Sequence, residues 1–372
     1  MTANLHLTAP PTASGLLWQV VRHESARPAS EREDILVNPG FGVSFTDHMI
    51  DICWSEKGGW HRPRVMPYGP ISLDPAAAVF HYAQEIFEGL KAYRHADGSI
   101  WTFRPEMNAA RLQRSARRLA LPELPTEVFL ESLRHLLAVD AAWVPGAPET
   151  SLYLRPFMIA KEAFLGVRAA KKVGFYIIAS PAGAYFSGGV KPVSIWLSER
   201  YTRAGKGGTG AAKFGGNYAA SLLPMTEAGE HGCQQVLFLD DTGTHLEELG
   251  GMNLVLMYRD GRLVTPESDS ILAGITLDSL LALASSRGHA VEQRRVSLAE
   301  WREGAVSGEI TGAFACGTAA VVTPIGRLVA PDFEIVHEDG AASELTLSLR
   351  EELTEIQYGQ SADTRGWMVR LA

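Results

Sequence analysis

GKGGTGAAKFGGNY, residues Gly205–Tyr218, is the stretch on which the reading of this chain turns. Six glycines fall within the twelve residues Gly205–Gly216. Glycine gives up more backbone freedom on folding than any other residue, so such density marks backbone that must pass close to a ligand. Gly205, Gly207 and Gly210 spell GxGxxG, but that fingerprint needs a strand running into its first glycine and a helix opening at its last. Here the strand pattern ends near Leu197 and the polar run SERYTRA intervenes. A phosphate-binding P-loop fails as well, because Gly207 rather than Ser or Thr follows Lys206. The nucleotide match is thus weak, and two further readings compete with it. Either this is a mobile surface loop with solvated lysines, or Lys213 is a Schiff-base lysine whose amine is desolvated beside Phe214.

The second reading gains weight if the chain also supplies partners for an aldehyde cofactor. Pyridoxal phosphate asks for a carboxylate at its ring nitrogen, N–H groups and hydroxyls at its phosphate, and a donor at its phenolic oxygen. Glu247 and Glu248 precede the kink Leu249-Gly250-Gly251; Glu247 reads as an exposed hairpin carboxylate, Glu248 as the candidate. Gly274-Ile275-Thr276 opens a helical pattern, and Gly317-Thr318-Ala319-Ala320 follows a strand-like Ala313–Cys316. Tyr218 stands five residues after Lys213, within reach of the same ring. Each signal alone is an ordinary cap, turn or surface charge; together they meet every demand of the cofactor.

The remainder of the 372 residues narrows the field. Hydrophobic residues make up 46% and charged residues 20%, the mix of a folded globular chain, and the length suits two domains. Lys plus Arg total 34 against 42 for Asp plus Glu, net −8, with no basic stripe of the kind nucleic acid requires. Cys53, Cys233 and Cys316 are scattered and odd in number, which excludes a disulfide framework and suits a reducing compartment. No apolar run approaches a membrane span. The start, MTANLHLTAPPTASG, lacks the pattern of a secretory signal and reads as a loose arm, so a cytoplasmic protein is expected.

Along the chain, ordered structure is expected to open at Gly40–Asp51. Asp74–Tyr93 reads as a helix entered through Asp74 and Pro75. HADGS between Leu90–Arg94 and Ile100–Arg104 is a hairpin signal. Helical patterns follow at Pro105–Leu119 and at Thr126–Val139, the latter with Thr126 as N-cap. Ser151–Pro156, Lys172–Ser180 and Val193–Leu197 read as strands, and Gln235–Leu239, Asn253–Tyr258 and Arg262–Thr265 as a meander. Ile275–Arg287 reads as a helix stopped by Gly288. The composition turn at Pro181–Pro192 marks a linker. The expected organisation is an α+β or mixed α/β chain with domains at 1–182 and 193–372, joined by 183–192.

Long motifs complete the picture: FGVSFTDHM, HYAQEIFEGLKAYR, SLYLRPFMIA, PAGAYFSGG, GAAKFGGNYAASL, EELGGMN and FACGTAAVVTP. From about Phe41 to Leu328 the chain resembles the branched-chain amino-acid aminotransferases of the fold-type IV pyridoxal-phosphate class. The resemblance implies a two-domain fold with D-amino-acid aminotransferase-like architecture. It implies that Lys213 carries the cofactor and shuttles the proton, Tyr218 bonds the phenolic oxygen and Glu248 the pyridine nitrogen. It also implies that Arg111, Ile275, Thr276 and Thr318 hold the phosphate and that Leu272 packs on the ring. Phe41, Tyr82, Phe87, Tyr153 and Tyr185 then line the side-chain pocket, where rigid aromatic area suits a branched aliphatic group. Arg155 would help hold the second carboxylate of glutamate, and Thr318 and Ala319 the substrate α-carboxylate. The implied reaction is a ping-pong transfer of the amino group of leucine, isoleucine or valine to 2-oxoglutarate by a homodimer, with small molecules as the substrates.

The chain departs from relatives in three places. Ala320 and Thr323 stand where some relatives have a CxxC, Gly251 replaces a common threonine, and Gly312 replaces a glutamate. Asp47-His48 has the look of a catalytic dyad and is read as structural. The rivals are other enzymes of the same fold, which an amino-donor screen separates; a nicotinamide-dependent dehydrogenase, which tight NADH binding without a yellow cofactor would favour; and a non-catalytic phosphate-ligand module, which borohydride reduction separates, since only a Schiff base is trapped covalently.

Overall fold

A computed structural model describes residues 14–183, 190–337 and 344–372. The chain divides into two compact units, one containing residues 14–183 together with Gln357–Ala372, the other ending at Ile356. The sequence alone places residues 357–372 in the second domain, and the structure corrects this. Their return has a simple cause: the strand Met368–Arg370 pairs antiparallel with Ile100–Phe103, covering a sheet edge that would otherwise expose unpaired N–H and C=O groups.

In the first unit a nine-stranded sheet runs in the order Gln19–Val20, Gly59–Pro67, His48–Ser55, Lys172–Ala182, Ser151–Ala160, Leu90–Arg94, Ile100–Phe103, Met368–Arg370, with Glu85–Phe87 also on Ser151–Ala160. Its pairings are antiparallel except Gln19–Val20 with Gly59–Pro67. Period-two alternation sorts the strand Ser151–Ala160. Leu152, Leu154 and Met158 join the core with Leu112, Phe129, Leu133 and Leu137 of the helices Pro105–Arg118 and Thr126–Asp140. Tyr153, Arg155 and Phe157 point to the opposite face and are only half-buried.

Several expectations hold and several are corrected. The HADGS hairpin forms, with Ala92 opposite Thr102 and Gly98 at φ 84°. Order starts earlier than Gly40, at Gln19–Val20 and the helix Ala29–Val37. The helix Pro105–Arg118 agrees with its expected span, while Thr126 begins its helix without capping it. Asp74–Tyr93 is not one helix. Asp74 closes a turn by accepting from Ala76 N at 2.8 Å, the helix covers only Ala78–Tyr82, and Ala83 ends it at φ 46°. Pairing of Glu85–Phe87 with Phe157–Ile159 of the long strand overrides the local helical pattern. Asp47 and His48 are structural, as read. Asp47 accepts from Trp143 Nε1 at 2.8 Å, and His48 Nδ1 meets Asp140 Oδ1 at 2.7 Å, tying strand to helix.

The second unit carries its own nine-stranded sheet in the order Leu246–Leu249, Gln235–Leu239, Val193–Ser198, Val321–Val329, Ile310–Gly317, Asn253–Tyr258, Leu263–Pro266, Val291–Arg294, with Glu334–Val336 beside Val321–Val329. Three of its pairings are parallel. The expected meander is therefore two separate hairpins, since Val193–Ser198, Val321–Val329 and Ile310–Gly317 stand between Gln235–Leu239 and Asn253–Tyr258. The helix Ile275–Ser286 ends before Gly288, as expected. Among the described residues no helix is long and apolar enough to cross a membrane.

Candidate active site

Lys213 and Tyr218 flank the start of the short helix Gly215–Ala219. Lys213 Nζ donates to Tyr218 Oη at 2.8 Å. The glycine run that carries Lys213 is pinned rather than loose. Buried Asn217 donates through Nδ2 to the carbonyls of Thr209 at 2.8 Å and Ala212 at 3.0 Å, and accepts from Thr209 Oγ1 at 2.7 Å. Buried Arg203 donates to the carbonyls of Gly210 at 3.3 Å and Ser270 at 3.2 Å. A Cβ on Gly210 would lie 2.0 Å from the Ser270 carbonyl oxygen, so only glycine fits there. The network pins residues 209–217 and so excludes the mobile-loop reading for the segment that carries Lys213, while residues 205–208, Lys206 among them, stay exposed on the surface.

Glu248 sits in the strand Leu246–Leu249, every residue of which is buried. Its Oε1 lies 3.0 Å from Arg203 Nη1 and accepts from Leu272 N at 2.8 Å. Burial pushes Glu248 up to about 7, with the Arg203 cation the chief influence in the other direction. Glu247 is not the exposed carboxylate the sequence suggests, being 2% exposed. Ser268 and Ser270 donate to its Oε1, which stabilises it inside, and burial raises its pKa.

The remaining candidates of this unit are contiguous with that pair. Gly274 caps the helix that begins Ile275-Thr276, whose first N–H groups have no partner one turn earlier. Asn253 locks this entry: its Nδ2 donates to the Leu272 carbonyl at 3.0 Å, and its Oδ1 occupies the place, 1.9 Å away, of a Cβ on Gly274. Asn253 is also the strand partner of Cys316, directly before the Gly317–Ala320 turn. A Cβ on Gly317 would come within 3.7 Å of the Gly251 carbonyl oxygen, and one on Gly251 within 3.7 Å of the Tyr218 ring. The structure thus brings Lys213, Tyr218, Glu248, Leu272, Ile275, Thr276 and the Thr318-Ala319 turn into one set of neighbours.

In the first unit, four of the expected pocket residues form a cluster. The rings of Phe41 and Tyr153 are 5.0 Å apart, and the Arg155 guanidinium lies 4.7 Å from the Phe87 ring and 5.3 Å from that of Tyr153. Arg155 Nη2 also donates to Tyr153 Oη at 3.1 Å. Tyr82 makes its contacts elsewhere, donating to the Leu165 carbonyl with its ring 6.4 Å from Phe164. Tyr185 lies outside the described residues. Arg111, which by pattern alone is a solvated helix arginine, is buried, with Nε 2.7 Å from Glu88 Oε1 and Nη2 2.9 Å from Glu88 Oε2.

Sequence reasoning missed Arg203, Asn217, Asn253 and Glu88. Arg203 sits in SERYTRA just ahead of the glycines, and Glu88 lies between Phe87 and Gly89. A charge set against an apolar or glycine-rich stretch is the signal that points to both, because a buried charge requires a partner.

The donor set (amine, phenol, buried carboxylate, helix N-terminus and glycine-lined turns) fits an aldehyde cofactor that carries a ring nitrogen and a phosphate. Among the described residues no group of His, Cys, Asp and Glu is arranged to hold a metal ion. Comparison with known proteins agrees with this chemistry. Residues 85–328 match the amino-transferase class IV family. The chain is similar to the branched-chain-amino-acid aminotransferase of Mycolicibacterium smegmatis, with 60% identity over 93% of this chain and 96% of that one. It is 58% identical to that of Mycobacterium tuberculosis H37Rv over 97% of this chain and all of the other. Among solved structures it is similar to the Escherichia coli branched-chain amino acid aminotransferase, with a TM-score of 0.71 and 26% identity, covering 87% of this chain and 100% of that one. It is equally similar to the T.th. branched-chain amino acid aminotransferase with pyridoxamine 5′-phosphate, with a TM-score of 0.71 and 26% identity over 86% and 98% of the two chains.

Proposed function

The chain belongs to the class IV aminotransferase family, and from that premise we propose how its residues work. It is a pyridoxal-phosphate-dependent branched-chain-amino-acid aminotransferase. It moves the amino group of L-leucine, L-isoleucine or L-valine to 2-oxoglutarate in two half-reactions, giving the 2-oxo acid and L-glutamate. The observation that carries the proposed site is the 2.8 Å bond between Lys213 Nζ and Tyr218 Oη, in the same unit as the buried Glu248.

When bound, pyridoxal phosphate supplies an aldehyde carbon that takes up the amino group and a ring that draws electrons from the α-carbon. Lys213 Nζ removes the α-proton of the amino acid and returns a proton in the second step. Tyr218 orients that nitrogen and donates to the phenolic oxygen. Glu248 holds the proton of the ring nitrogen, a task suited to a carboxylate that burial has brought to about 7. Leu272 packs on the ring, and Ile275, Thr276, Thr318 and Arg111 hold the phosphate. The N–H groups of Thr318 and Ala319 take the substrate α-carboxylate. Phe41, Phe87, Tyr153 and Tyr185 line the pocket for the branched side chain, Tyr82, bonded to the Leu165 carbonyl, is not assigned to it, and Arg155 meets the second carboxylate of glutamate. Family likeness supports a homodimer in the cytoplasm, to be checked by light scattering and fractionation.

The deciding experiment is the absorbance of purified protein before and after leucine, then after 2-oxoglutarate. The band should move with the first addition and return with the second. Borohydride-reduced protein should carry its adduct on Lys213; an adduct elsewhere, or none, overturns the site assignment.

A further inference from the structure

Glu88 is 0% exposed and gathers four donors onto one carboxylate: Arg111 Nε at 2.7 Å, Arg111 Nη2 at 2.9 Å, Asn108 Nδ2 at 2.7 Å and Gly89 N at 3.3 Å. Asn108 and Arg111 stand three residues apart on one face of the helix Pro105–Arg118, so both reach the same acceptor. The chain beside Glu88 is fixed as well. Its N–H donates to the Pro156 carbonyl at 2.7 Å, and Asn108 Nδ2 also reaches the Gly89 carbonyl at 3.3 Å. A Cβ on Gly89 would lie 2.0 Å from Tyr153 Oη, so the chain packs directly against a proposed pocket residue.

A guanidinium is planar, with five N–H bonds in a rigid fork. Side-on pairing through Nε and Nη2 fixes that plane, and with it the direction of every other N–H bond on the group. A countercharge does not itself raise attraction for an anion, because the pair is neutral overall. Its effect is directional. It also lets two arginines share a neighbourhood, since Glu88 favours the charge on Arg114, which desolvation and Arg111 disfavour.

We propose that Glu88 is a positioning residue for cofactor binding: it aims the Arg111 guanidinium at the phosphate of pyridoxal phosphate. This rests on the reading that Arg111 holds that phosphate. The residues touching the reacting atoms are others, and Glu88 acts through Arg111 alone.

The test compares pyridoxal phosphate with pyridoxal, which lacks the phosphate, by titrating cofactor-free protein and following absorbance and intrinsic fluorescence. Wild type should bind the phosphorylated form much more tightly. Glu88→Gln keeps the side-chain volume and should cut that preference about tenfold, with pyridoxal affinity unchanged. Arg111→Gln should cut it at least as far, and the double variant no further than Arg111→Gln. If Arg111→Gln keeps the preference, the reading of Arg111 falls, and this proposal with it. If Arg111→Gln loses the preference while Glu88→Gln keeps or increases it, the positioning role alone is overturned. That role is equally overturned if Glu88→Gln weakens both ligands to the same extent, as loss of a merely structural carboxylate would. Should Glu88→Gln not fold, Glu88→Asp, charged but one methylene shorter, carries the same comparison with the same two outcomes.

Discussion

Arg203 and Glu248 form an ion pair at 3.0 Å with side chains only 1% and 4% exposed. Arg203 also holds the carbonyls of Gly210 and Ser270, so one cation fixes both the carboxylate and the glycine run that carries Lys213. Removing one partner of such a pair leaves a buried charge without compensation. Arg203→Met should therefore destabilise the cofactor-free protein by about 3–5 kcal/mol, read from urea unfolding. Glu248→Gln added to it should recover part of that loss, and a single-variant cost below about 1 kcal/mol would show the pair to be incidental.

Burial of Glu248 has a pH signature. Its folded pKa, about 7, stands above the ordinary 4.5, so the folded state holds the proton more tightly than the unfolded chain does. Its contribution to stability is greatest at the acid end. It is lost as pH rises from about 4.5 to about 7, by on the order of 3 kcal/mol, and then levels off. Cofactor-free wild type should show that decline over and above the Glu248→Gln variant. Parallel stability curves for the two would remove it.

Lys213→Ala should lower turnover by at least about 10⁴-fold, since it removes both the covalent attachment and the base. Stopped-flow measurement of the leucine half-reaction isolates the step. Tyr218→Phe, which keeps the ring and loses the 2.8 Å bond to Lys213, should cost about tenfold. A phenylalanine variant as impaired as the alanine variant would mean that the phenol itself moves the proton.

Arg155 separates the two substrates. Its guanidinium rests against Phe87 and Tyr153 in the aromatic cluster, a site able to serve an apolar side chain and a carboxylate alike. Arg155→Met should raise KM for 2-oxoglutarate by about tenfold or more, the worth of a hydrogen bond to a charged group. KM for leucine should change little. Equal increases for both substrates would place Arg155 in the scaffold instead.

What the sequence makes legible follows the distance along the chain between interacting residues. Lys213 and Tyr218 lie five residues apart, and their pairing can be inferred from reach alone. The strands and turns of the Leu90–Phe103 hairpin are local in the same sense. The partners of Glu248 are not: Leu272 lies 24 residues away, and Arg203 lies 45 residues upstream across two helices and a strand. Burial of Glu247 likewise depends on Ser268 and Ser270, more than twenty residues off. The Asp74–Tyr93 segment misleads for this same reason. Its alanines favour a helix, but the pairing of Glu85–Phe87 is set by a strand some seventy residues later. Arg111 needs both family likeness and Glu88 to be seen as more than a surface charge.

The strand Met368–Arg370 has a consequence for biosynthesis. The ribosome makes it only after the whole second unit has been synthesised, so the nascent first unit waits with the Ile100–Phe103 edge bare. An open edge of that kind is where neighbouring chains on a polysome adhere. Lengthening the delay, by slowing translation between residues 190 and 356, should yield more insoluble product than the same slowing placed before residue 90, when that edge has not yet been made.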